Sequence, residues 1–342
     1  MRTSDESGTG YQPVIRSLNH GLVARATACI LALFLPTLVF AQNYTRTHDV
    51  IYGRAYGTSL TMDVFQPKTK SNHLGVLALV SGGWFSGVDS IDSPFFKAYI
   101  DILTARGYTV FAVVHGSQPK FTIPEILPQI DRAVRFVRFH ANDYGIDPDH
   151  IGMCGGSAGG HLTLMQAVHP LPDDPKAVDP IDRTSSRIQT AVSFFPPTDF
   201  LNYGSPGHDG MGKNELAFFK GAFDFHELDP KAPSFIPITD PVKLHQIGED
   251  ISPIYHVTSS APPILIFHGD ADHLVPFQQA TSMIAKLEQF HVPCKLIVKK
   301  GGGHGWGQME LNIAQLADFF DQNLKRPSTR PALSIPATVP AP

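Results

Sequence analysis

From residue 50 onward the chain alternates short apolar runs with segments of helical periodicity. Residues 76–80, 109–114, 151–154, 190–195, 263–267 and 294–298 are rich in Val, Ile and Phe and leave few polar positions. Such runs suit strands buried on both faces of a parallel sheet. Between them, 94–105, 123–142, 161–169, 277–290 and 310–324 place apolar residues three and four apart, the spacing of a helix with one buried side. This alternation predicts an α/β fold with a mostly parallel, doubly wound sheet. Two earlier runs, 50–56 and 60–65, flank Gly57-Thr58 and predict an antiparallel pair. Residues 199–257 break the rhythm: they are rich in Gly, Pro and aromatics and show no alternation. A stretch of that length predicts a partly helical, cap-like insert after the sixth strand, over the sheet edge where α/β folds bind ligands.

The ends of the chain differ from its body. Residues 26–40 (ATACILALFLPTLVF) are uncharged and follow Arg16 and Arg25, and Val39-Phe40-Ala41 supplies small residues where a signal peptidase cuts. This predicts a signal peptide over 1–41, cleavage after Ala41, and a secreted or periplasmic protein. The apolar run holds Pro36 and is too short to span a bilayer, so no stable membrane insertion of the mature chain is expected. Residues 326–342 form a Pro/Ala-rich tail predicted to be disordered. One domain of residues 42–325 is left between them.

Composition narrows the function classes. The net charge is −4 and charged residues make up only 17% of the 342, which gives no support for a nucleic-acid partner. Three cysteines do not make a disulfide framework; Cys154 and Cys294 lie in strand-like runs and are expected to be small buried residues. The 16 histidines show no metal-ligand spacing, so neither a metal nor any other cofactor is expected.

The sharpest chemical signal is Gly155-Gly156-Ser157-Ala158-Gly159, directly after one strand run and before a helical one. G-x-S-x-G in that setting places a serine on a tight strand-to-helix turn, with the Ala158 amide at the helix N-terminus facing a developing oxyanion. A phosphate loop is the competing reading, but no Lys-Ser/Thr follows. Downstream come His268-Gly269-Asp270-Ala271-Asp272 and then Gly301-Gly302-Gly303-His304-Gly305-Trp306, each after a strand. The order Ser, Asp, His is that of α/β-hydrolases, with Ser157 as nucleophile and His304 as base. Asp272 is favoured as the acid because it lies further beyond its strand; Asp270 is expected to brace the loop through backbone N–H groups. Ser81-Gly82-Gly83-Trp84 follows the third strand run, where Gly82 and Gly83 are expected to offer free amides. Trp84 is assigned either to the substrate pocket or to the core. Phe85, Phe95, Phe96, Phe218 and Phe219 carry the same two readings.

Taken together, GGSAGGHL, HGDADHLVP, GGGHGW, YGIDPDHIGMCGG and SPIYHVTSSAPPILIFHG resemble the α/β-hydrolase esterases, over about residues 76–324. The similarity is to the group related to bacterial feruloyl and acetyl esterases and, more loosely, to hormone-sensitive-lipase-like carboxylesterases. It implies a serine carboxylic-ester hydrolase with nucleophile Ser157, acid Asp272, base His304 and oxyanion donors Gly82, Gly83 and Ala158. The implied substrate is a small-molecule or polysaccharide-linked ester, acyl or aryl. A serine exopeptidase of the prolyl-oligopeptidase type is the alternative enzyme. One departure stands out: the family pattern HGGGW is Val80-Ser81-Gly82-Gly83-Trp84 here.

Overall fold

The computed structural model describes residues 43–68 and 70–325. The expected signal peptide (1–41) and tail (326–342) lie outside them. The chain enters through two long strands, β1 (Tyr44–Ala55) and β2 (Thr58–Pro67), turned at Tyr56 and Gly57, both at positive φ. Then follow β3 (Gly75–Val80), α1 (Pro94–Ala105), β4 (Thr109–Val114), α2 (Ile123–Phe139), β5 (Ile151–Gly156), α3 (Ala158–Val168) and β6 (Thr190–Phe194). After an insert come β9 (Ile264–Gly269), α5 (Gln278–Gln289), β10 (Cys294–Lys299) and α6 (Met309–Leu324). The insert itself holds the small hairpin β7 (His226–Leu228) and β8 (Phe235–Pro237), helix α4 (Pro241–Asp250), and two 3-10 segments, Asn214–Phe223 and Pro253–His256.

The main sheet has the order β1-β2-β4-β3-β5-β6-β9-β10. β2 is antiparallel to both of its neighbours and every other pairing after it is parallel, so β2 alone runs against the rest. Why the central runs carry no polar face is visible in β3: Leu77 and Leu79 enter one core, whereas Val76, Ala78 and Val80 enter the other. Phe111 and Val113 against Val110 and Ala112 repeat the pattern in β4. Helices α2, α3 and α5 cover the first face, and α1 and α6 the second. Covering both faces is the condition under which a parallel sheet is stable. This is the α/β-hydrolase arrangement that the sequence predicts.

The helix starts follow local chemistry. Ser93 caps α1 ahead of Pro94, and Thr122 with Glu125 forms a capping box at α2, the Thr122 N–H donating to Glu125 Oε2 at 2.8 Å. Helix α3 begins at Ala158 instead of the expected 161, and α2 ends at Phe139 instead of 142. The insert packs into the first core through Phe200, Tyr203, Leu216 and Phe223 and reaches the loops beyond β3 and β9. Cys154 is buried and Cys294 half-buried, and both are free thiols. Among the described residues no helix is long and apolar enough to cross a membrane, and no group of three His, Cys, Asp or Glu is placed to hold a metal.

Candidate active site

Because β5, β9 and β10 are parallel, the loops that follow them leave the same edge of the sheet. Ser157 sits between β5 and α3 at φ +54 and ψ −121. A non-glycine residue held there costs about 1–3 kcal/mol, so the surroundings must impose it. They do so by close approach. A Cβ built on Gly155 would come 2.5 Å from the Gly159 backbone, and one on Gly160 would come 2.5 Å from Ser193 Oγ and 3.0 Å from Phe194 O. The turn is closed by Ser157 N–H to Phe194 O (2.8 Å) and His161 N–H to Ser157 O (2.9 Å).

Ser157 Oγ lies 2.9 Å from His304 Nε2, and His304 Nδ1 lies 2.8 Å from Asp272 Oδ2. The other Asp272 oxygen accepts the Leu274 and Val275 amides, each at 2.9 Å. Burial opposes the charge on Asp272, but hydrogen bonds from His268 and His304 outweigh it and hold the carboxyl well below the usual carboxylate range. A permanent carboxylate fixes the proton on His304 Nδ1 and leaves Nε2 free to accept from Ser157. Asp270 acts on the backbone instead, taking the Gly301 N–H at 2.5 Å. The two loops touch main chain to main chain: a Cβ on Gly269 would sit 2.2 Å from Gly302 O.

The oxyanion side departs from expectation at two residues. The Gly82 amide is not free, since it donates to Phe85 O at 3.0 Å while Phe85 N–H returns a bond to Gly82 O. Among the described residues the Gly83 and Ala158 amides have no hydrogen-bond partner, which leaves those two as the available donors. Trp84 is 1% exposed and belongs to the core, not to a pocket wall. It packs against Phe200, Phe219 and Phe223 and donates its indole N–H to His161 Nδ1 at 3.2 Å. His161 Nε2–H in turn donates to Ile251 O of the insert at 2.7 Å.

Phe195 is a neighbour of the triad that sequence reasoning passed over. It turns to φ +38 at the end of β6, and its ring lies tilted at 58° to the His304 ring with the centroids 4.5 Å apart. Phe95 and Phe195 both come 3.6 Å from a Cβ built on Gly156, so they flank the residue preceding the serine. Phe96 is buried, Phe219 lies against Gly83, and Phe85 and Phe218 are exposed. The doubled aromatics at 194–195 were the only signal in the sequence.

This chain is 28% identical over 259 residues to a probable carboxylic ester hydrolase, LipM, of Mycobacterium tuberculosis, which covers 72% of this chain and 53% of the relative. It is 26% identical to esterase LipQ of the same organism (71% and 52%) and 23% identical to a probable isoprenylcysteine alpha-carbonyl methylesterase of Arabidopsis thaliana (87% and 58%). The chain thus spans little more than half the length of these curated relatives. Among solved structures, a truncated carbohydrate esterase from gut microbiota aligns with a TM-score of 0.68 at 23% identity, covering 84% of this chain and 99% of that one. An acetyl ester-xyloside bifunctional hydrolase from Caldicellulosiruptor lactoaceticus aligns at 0.62 and 22%, covering 80% and 95%. At these identities the structures share the fold. The sequence model of the BD-FAE family matches residues 62–287, well over half of the 342, and the chain belongs to that family.

Proposed function

We propose that the protein is a serine carboxylic-ester hydrolase working through an acyl-enzyme. The observation that carries this reading is the hydrogen-bonded chain Ser157–His304–Asp272 at 2.9 and 2.8 Å, set beside two unpaired amides. Ser157 Oγ attacks the ester carbonyl as His304 Nε2 takes its proton. The oxyanion that forms is stabilised by the N–H groups of Gly83 and Ala158, each worth about 10²–10³ in rate. His304 passes the proton to the departing alcohol, then activates a water that releases the acid and frees Ser157. Asp272 holds the imidazole and stabilises its charged form. Relatives named as ester hydrolases support the same reading, and none of those above speaks for the peptidase alternative.

Short acyl groups on carbohydrate-linked or aryl alcohols are the proposed substrates, in keeping with a structural neighbour described as a carbohydrate esterase. Export, through the leader ending at Ala41, would suit such polymer-derived esters. Ser157→Ala is expected to abolish hydrolysis of a short aryl acetate while leaving the thermal melt unchanged. Retained turnover would overturn the assignment. A panel of acetyl, butyryl, feruloyl and acetyl-xylan esters then ranks the acyl and alcohol preference.

A further inference from the structure

The turn Gly82-Gly83-Trp84-Phe85 is held in an uncommon backbone form. Gly82 and Phe85 exchange both backbone hydrogen bonds, and the two residues between them have φ of +56 and +60. Positive φ at both central positions is the requirement of a type I′ turn, normally met by glycine or asparagine. Here the second position is tryptophan, which adds about 1–3 kcal/mol and persists only where the surroundings over-determine it. The orientation matters for chemistry. Gly83 N–H and Gly82 C=O belong to one planar trans unit, so whatever rotates the turn also swings the amide offered to the oxyanion.

The residues at the family's His-Gly positions do not supply the restraint. The Val80 side chain enters the core, and Ser81 Oγ is buried without a hydrogen-bond partner. Gln118, 4% exposed, comes from the loop after β4 instead. Its side-chain Nε2–H donates to Gly83 O, and its backbone N–H donates to Trp84 O at 3.1 Å. One residue therefore takes both carbonyls of the strained pair. From the other side the insert presses on the same point: a Cβ on Gly83 would meet the Phe219 ring at 2.2 Å, and one on Gly221 would come 2.8 Å from Gln118 Oε1.

We propose that Gln118 is a positioning residue for the oxyanion hole, its side-chain amide keeping the Gly83 N–H aimed beside that of Ala158. This rests on the esterase reading of Ser157. Gln118→Met keeps the length of the side chain and removes the donor. It is expected to lower kcat on a short aryl acetate about 10- to 100-fold, a fraction of a full donor's worth, with KM within about twofold. Labelling by a fluorophosphonate counts intact Ser157 sites, so rates are compared per labelled site and a partly folded preparation cannot mimic the loss. Gln118→Glu supplies an independent readout. Its introduced carboxyl donates only when protonated, so the ratio of variant to wild-type kcat is expected to rise as the pH falls from 8 to 5. A Gln118→Met kcat within twofold of wild type, or a ratio flat across that range, would overturn the inference. Wild-type protein that neither labels nor turns over would instead remove the esterase reading, and this inference with it.

Discussion

At the scale of single residues, the two aspartates after β9 divide the work by which atoms face them. Asp272 turns one oxygen to His304, with His268 at 3.5 Å from the same atom, and the other to two backbone amides, whereas Asp270 meets only the Gly301 N–H among these loops. Asp272→Asn puts an amide against His304 Nδ1, favours the wrong tautomer, and is expected to cost about 10³–10⁴-fold in kcat. Asp270→Asn should cost under about tenfold and appear mainly as a lowered melting temperature. Kinetics and melting of the two variants side by side check this, and the reverse ranking would reassign the acid. The distinction was legible in sequence because it depends on distance from a strand end. The engagement of Gly82 was not, since its amide is taken by a residue three positions on whose pairing only the turn geometry creates. The burial of Trp84 was hidden for a different reason: Phe219 and Phe223, which cover it, come from the insert.

At the scale of elements, β5, the serine turn and α3 behave as one rigid unit because glycines let three backbones approach. Gly155→Ala forces a Cβ to within 2.5 Å of the Gly159 backbone, and Gly160→Ala places one 2.5 Å from the Ser193 hydroxyl and 3.0 Å from Phe194 O. Both are expected to destabilise, Gly155→Ala by several kcal/mol and the more of the two. Gly82→Ala is the internal contrast. It has open space around its Cβ position and no positive φ, so its melt should match wild type. Urea unfolding of the three variants tests the difference. The sheet and most helices could be read from the sequence, since apolar runs and caps such as Ser93-Pro94 are local signals. The start of α3 read late because Gly159 and Gly160 look like loop residues until β3 and β6 are packed against them. Within the insert, 3-10 segments and three-residue strands carry no period to detect, and aromatic packing alone gives them their places.

At the scale of the molecule, buried histidines tie distant parts together and make stability depend on acidity. His161 joins the loop after β3 through Trp84, helix α3 through its own backbone, and the insert through Ile251. Burial pushes its imidazole down to about 4, and that of His115 likewise. A folded-state value below the unfolded one of about 6.5 means that the neutral form's stability is present above pH 6.5 and is lost as the pH falls toward 4. Between about pH 6 and 5 these two side chains leave the unfolded chain with between one and two more bound protons than the folded one, a slope of roughly 2 kcal/mol per pH unit. Partial burial beside His256 lowers His169 too and adds to it, whereas buried Asp131, its carboxyl raised, opposes it closer to pH 4. Asp272 acts in the same sense as the histidines, but only in the carboxylate range below them. His161→Gln keeps an acceptor for Trp84 and a donor for Ile251 without a titrating group. Urea unfolding from pH 7 to 5 is expected to show its slope reduced by about one proton, while stability at pH 7 changes by under about 1.5 kcal/mol. His161→Leu loses the same proton but leaves the indole N–H and Ile251 O unpaired, each costing about 1–3 kcal/mol at every pH. Equal slopes in wild type and His161→Gln would mean that His161 is not the buried neutral link between these three parts.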